Sequence, residues 1–357
     1  MVTGHADVTA VLRDPATFSS AVVPRVPPRD RARLAGFTDW SARWLFFQDP
    51  PEHSVRRAPV SRALSPRTVS GLAPSIDDLA LRLAARLPAA GFDVLLDYAH
   101  PLAARVVAGL LCRPGPETEA FLARARALER ADADARDPAA REAGLTAMAE
   151  ATQAVRDQLA SGARLAPVPA HLRAAWPGDD DTAGAHSLML LFAGVETTQN
   201  LVANAVHLLL LDASRWPALT PATLAGTVEE ATRLAPPVLG VLRRATRETA
   251  LSGVPVAAGA ELVVMTAAAN RDPARFPDPE RFDPSRSPNP HLSFGLGPHY
   301  CPGAALTRLT AQAALTALRA RFPRLSLDGP VTWRAHDPIV HAPTSLPVRA
   351  GPGPAGG

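Results

Sequence analysis

The chain has 357 residues, 47% of them hydrophobic and 20% charged, which is enough apolar material for a sizeable core and argues against global disorder. Two cysteines exclude a disulfide scaffold. The net charge of +3 is spread over arginines interleaved with acids, with no lysine, whereas a nucleic-acid site needs a concentrated basic stripe.

No apolar run approaches the roughly 18 to 20 residues of a membrane span, the best stretches being 188–195 and 206–211. The N-terminus lacks the basic-then-apolar order of a signal peptide, so a cytoplasmic protein is expected.

Apolar residues recur at three- and four-residue spacing over 5–13, 75–88, 95–112, 117–130 and 142–160, each predicting a helix. In DPPEHSVRR, Asp49 can cap a helix that places His53 and Arg57 on one face, where two donors suit a carboxylate or phosphate. Pro59 removes the hydrogen bond to Val55 and predicts a kink there.

A long apolar helix is expected over 182–212, with the acidic run 179–181 favourable at its positive end. AGVETT interrupts it with Gly194, Glu196 and Thr197. Either Glu196 faces solvent while Thr197 bonds back to the Ala193 carbonyl, or a locally opened helix offers an acid and a hydroxyl for proton delivery.

The next helix, 221–235, ends at Pro236 and Pro237 and pairs Glu230 with Arg233 one turn on. Strands are predicted at 249–256, 261–266 and 344–349. Residues 270–293 have no periodicity and need something to order them.

FGLGPHYCPG puts Cys301 at the start of a further helix, where free N–H groups favour a thiolate that can act as ligand or nucleophile. Gly295, Gly297 and Gly303 leave room for a flat object near the backbone. A structural buried cysteine, or a hydrolase with His299 as base, are the alternatives; a base two residues away on a tight loop is poorly placed for the second. The tail, 350–357, is expected to be disordered. The pattern is mainly α with a minor antiparallel β part, in one domain over 1–357.

Together these motifs resemble the soluble bacterial cytochrome P450 family. FGLGPHYCPG is similar to its haem loop, AGVETT to its oxygen-activation motif and EEATR to its Glu-x-x-Arg pair. Residues 267–286 resemble the segment that leads into that loop, and 243–259 and 343–349 are similar to family strands. The match runs from about Val2 to Arg349 and is poor between 113 and 181, where a substrate lid is expected.

The resemblance implies the P450 fold, with haem b between the long helix and the cysteine loop and Cys301 as axial iron ligand. It implies that His53, Arg57, Arg243 and His299 hold the haem propionates, with Gly194, Phe294 and Gly295 also at the cofactor. Glu196 and Thr197 would relay protons, and Glu230, Arg233 and Arg281 would form a buried ion-pair network. It also implies a monooxygenase of secondary metabolism that uses dioxygen and a small organic substrate, with electrons from a ferredoxin and its reductase. Arg56, Arg62 and Arg67 offer a basic face to an acidic ferredoxin. Pocket walls are expected from 20–47, 238–241 and 340–342. A peroxide-driven peroxygenase and a non-catalytic haem protein are the rivals. Relative to the family the chain is expected to lack an opening helix and strand.

Overall fold

The computed structural model describes residues 1–22, 27–133, 137–161, 163–334 and 339–351; the tail beyond 351 lies outside the described residues. In chain order the α-helices are α1 (His5–Arg13), α2 (Ala35–Ser41), α3 (Glu52–Ala63), α4 (Pro66–Ala85) and α5 (His100–Leu111). They continue with α6 (Pro116–Ala133), α7 (Pro138–Ala160), α8 (Pro167–Ala175), α9 (Asp180–Leu210), α10 (Pro221–Leu234), α11 (Thr266–Ala269) and α12 (Ala304–Arg321). The strands are β1 (Phe18–Ser19), β2 (Phe92–Asp93), β3 (Val241–Ala245), β4 (Thr249–Leu251) and β5 (Val254–Val256). They end with β6 (Glu261–Val264), β7 (Leu325–Leu327), β8 (Thr332–Trp333), β9 (Pro343–Ser345) and β10 (Pro347–Ala350).

Helix α9 is the axis of the molecule, contacting α5, α7, α8, α10 and α12. Asp179 caps it, its carboxylate accepting from the Thr182 N–H at 3.0 Å, and Asp180 and Asp181 fill the first turn as the charge pattern requires. It is apolar on nearly every side because other helices surround it, and the buried row includes Leu188, Leu191, Leu201 and Val206. Gly184 sits under the Trp40 ring, where a Cβ would lie 2.4 Å from the nearest ring carbon.

All strand pairs are antiparallel, in the orders β1-β3-β6, β2-β10-β7, β4-β5 and β8-β9. The first of these sheets packs with α1 in its own small apolar cluster around Val8, Phe18 and Val264.

Several boundaries move. The stretch expected as one strand, 249–256, is the hairpin β4–β5, turned at Ser252 and Gly253 with φ of 46° and 79°, a tight turn that suits the strand twist. Helix α4 starts nine residues before the expected 75, where Ser65 caps it by accepting from the Thr68 N–H at 3.3 Å. Helices α2 and α8 are additions to the elements expected from the sequence.

Asp49 does not cap α3 with its side chain; the N-cap is Pro51, and only the Asp49 carbonyl engages the first turn, through the His53 N–H at 3.0 Å. The helix runs through Pro59 to Ala63 without ending at the proline. Val94–Leu111 is long and apolar enough to cross a membrane, but 78% of it is buried inside the protein, as a core helix is.

Candidate active site

Cys301 lies just before α12, held by its own N–H to the Phe294 carbonyl at 2.7 Å. Gly295 and Gly297 take φ of 72° and 70°, left-handed values that let the loop close. At Gly297 a Cβ would lie 2.6 Å from the Leu12 carbonyl, so that glycine admits the end of α1. Burial raises the Cys301 thiol, against the pull of the Gly303 and Ala304 N–H groups and the charges of Arg57 and Arg308. The same two influences, helix N-terminus and nearby guanidinium, are those that favour a thiolate once a metal is available to it.

Four donors gather beside this loop. The His53 and His299 rings lie 4.1 Å apart, centroid to centroid. Arg57 donates to the Tyr300 carbonyl, and Arg243, buried on β3, donates to the Leu242 carbonyl at 2.7 Å. Both ring nitrogens of His53 are buried without a partner.

His53 is held down at about 4 by burial and then by the Arg57 charge, and His299 at about 3 by burial and then by His53 and the two arginines. The nearby carboxylate, Asp49, is committed elsewhere: it accepts from Ser19 Oγ at 2.5 Å and the Ser20 N–H at 2.7 Å. Ser20 Oγ in turn meets His299 Nε2 at 3.1 Å. Two guanidinium groups beside two neutral imidazoles, one of them with both nitrogens orphaned, fit a ligand that carries carboxylates.

On α9, Thr197 Oγ1 donates to the Ala193 carbonyl at 2.7 Å, the back-bond that a mid-helix threonine adopts. Glu196 does not stand free in solvent; Arg334 Nη1 donates to it at 2.7 Å. Gly194 faces α5, where a Cβ would come within 2.9 Å of Val107, so the packing of the two helices already calls for a glycine there. Thr198 and Thr307 hydroxyls, 3.4 Å apart, tie α9 to α12.

Glu230 and Arg233 are fully buried and bidentate, at 2.8 and 2.9 Å. Burial raises Glu230, but Arg233, the Asp283 N–H and Arg286 outweigh it and leave the carboxyl below its usual value. Arg233 also donates to the carbonyls of Asn270, Pro279 and Arg281. This orders the 270–293 passage.

The third charged arm is Arg286, not Arg281: Arg286 Nε reaches Glu230 at 3.1 Å, whereas Arg281 is exposed and offers only its carbonyl. Sequence reasoning also missed Glu229, which binds Arg308 at 2.5 and 3.0 Å and His291 at 3.0 Å. Arg308 in turn covers the Phe294 ring at 4.3 Å. Its place one turn into α12, within reach of the cysteine loop, was the available signal.

A family model described as Cytochrome P450 matches residues 223–330. The erythromycin C-12 hydroxylase of Saccharopolyspora erythraea is 38% identical, over 98% of this chain and 89% of its own length. The chain belongs to the cytochrome P450 family. A second relative, the mycinamicin IV hydroxylase/epoxidase of Micromonospora griseorubida, is 32% identical over 98% of this chain and 88% of its own. The open cytochrome P450 Eryk of S. erythraea superposes with a TM-score of 0.82 at 34% identity, over 99% of this chain and 91% of that one. The chain is therefore a P450 monooxygenase, of a family whose iron is bound by haem and a thiolate.

Proposed function

We propose that this P450 binds haem b through Cys301, with His53, Arg57, Arg243 and His299 at its propionates, and oxidises a secondary metabolite by hydroxylation or epoxidation. The observation that carries the reading is the pair of unpartnered His53 nitrogens beside the Cys301 loop, with the buried Arg243 and the half-buried Arg57 close by. A single thiolate from Cys301 suits an iron that arrives with its own ring of donors. When bound, the haem supplies dioxygen activation and the oxidising power.

The remaining work falls to the chain. Arg57 and Arg243 would neutralise the propionates, and the Gly303 and Ala304 N–H groups would stabilise the thiolate. The Thr197 hydroxyl and the Glu196 carboxylate would hold and pass protons. The walls at 238–241 and 340–342 adjoin each other through the Val238–Val340 bridge and would orient an apolar or amphipathic substrate. The names of the two relatives, a hydroxylase of erythromycin and a hydroxylase/epoxidase of mycinamicin, support a bulky substrate. A separate ferredoxin and reductase would supply electrons at the arginine face of α3 and α4, and the protein would work in the cytoplasm as one domain.

The test is the reduced carbon monoxide adduct. Wild type should show the red-shifted Soret band of thiolate ligation, and Cys301→Ala should lose it; persistence of the band in the variant refutes the ligand assignment.

A further inference from the structure

Neither member of the acid–alcohol pair is free: Thr197 donates to its own helix and Glu196 is bound by Arg334. Arg334 belongs to neither α9 nor the cysteine loop. It follows β8, its N–H donates to the Ala342 carbonyl at 2.9 Å, and only 8% of its side chain is exposed, against 29% for Glu196. Its backbone is thus pinned by the C-terminal hairpin while its guanidinium reaches across to α9.

A second carboxylate stands close by. Glu129 on α6 is buried and accepts from Gln199 Nε2, while Gln199 Oε1 meets His100 Nδ1 at 2.8 Å. Burial raises Glu129; the Glu196 charge pushes it the same way and the Arg334 charge opposes both. One guanidinium therefore sits within electrostatic reach of two carboxylates, on two helices, at a site where an uncompensated charge is costly.

We propose that Arg334 is the positioning residue for proton delivery: it holds the Glu196 carboxylate in place. The inference rests on the reading of Glu196 as a proton carrier. Without Arg334, Glu196 loses the guanidinium that fixes its carboxylate and is free to turn, and a proton donor displaced by an ångström loses most of its effect. Lysine would retain the charge but not the planar fork, so it should rescue partly.

The test compares haem-loaded wild type with Arg334→Gln, Arg334→Lys, Glu196→Gln and the double variant. A plant ferredoxin and its reductase supply electrons, with no organic substrate added. Two electrons and two protons take O2 to H2O2; four of each take it to two waters, so peroxide released per electron rises as proton delivery fails.

Arg334→Gln and Glu196→Gln should each raise that ratio at least twofold. The double variant should equal Glu196→Gln alone, and Arg334→Lys should return most of the way to wild type. Urea midpoints give a readout independent of turnover: the double variant should unfold no earlier than Arg334→Gln, because the unpaired carboxylate is gone. A wild-type ratio in Arg334→Gln, or additive effects in the double variant, overturns the inference. A wild-type ratio in Glu196→Gln overturns the proton-carrier reading and the inference with it.

Discussion

The His53 ring meets that of His299 at 4.1 Å, tilted by 37°, while both of its own nitrogens lie buried without a partner. A ring of that kind costs stability unless a ligand uses it.

His53→Phe keeps an aromatic ring against His299 but removes both ring nitrogens. The folded protein should form with an unchanged or higher melting temperature before cofactor is added, and its haem affinity should fall roughly tenfold, the worth of about 1.4 kcal/mol. Haem titration followed at the Soret band measures this; unchanged affinity would remove His53 from the propionate set.

Thr197→Ala tests the alcohol. The hydroxyl is bonded only to the Ala193 carbonyl, so its loss should leave stability within about 0.5 kcal/mol of wild type. Electron consumption should continue while peroxide per electron rises, and full coupling in the variant would contradict the relay.

The Glu230 network separates two arginines that the sequence does not distinguish. Glu230→Gln breaks a fully buried pair and should cost roughly 3–5 kcal/mol. Arg286→Ala should cost about 1.5–3 kcal/mol, the worth of a charged hydrogen bond, whereas Arg281→Ala should stay within about 0.5 kcal/mol. Urea midpoints decide the order.

Glu229 gives a pH dependence. Burial alone would raise its carboxyl, but hydrogen bonds from His291 and Arg308 bring it down to about 2. A depressed carboxyl contributes stability above its unfolded value near 4.5 and loses it as the pH falls toward 2. Solvent reaches the pair, so the contribution is on the order of 2 kcal/mol rather than the full shift. The stability gap between wild type and Glu229→Gln should therefore be constant at pH 6–7 and shrink steadily below pH 4.5; a gap that does not narrow there removes Glu229 as its source.

The sequence by itself determined the elements whose signals are local. The long helix α9 and its acidic start, α12 behind Cys301 and the end of α10 at Pro236 all follow from periodicity, dipole and proline chemistry within a few residues. The resemblance adds which of those motifs share a site, because their order along the chain carries that information. Only the tertiary structure decided the partners. Asp49 turned from capping α3 to holding Ser19 and Ser20, Gly194 answered to Val107, and Arg286 displaced Arg281 at Glu230. Arg334 reached Glu196 from 138 residues away. A guanidinium's partner depends on which buried charge lies within about 3 Å of it after packing, and neither residue spacing nor composition encodes that distance.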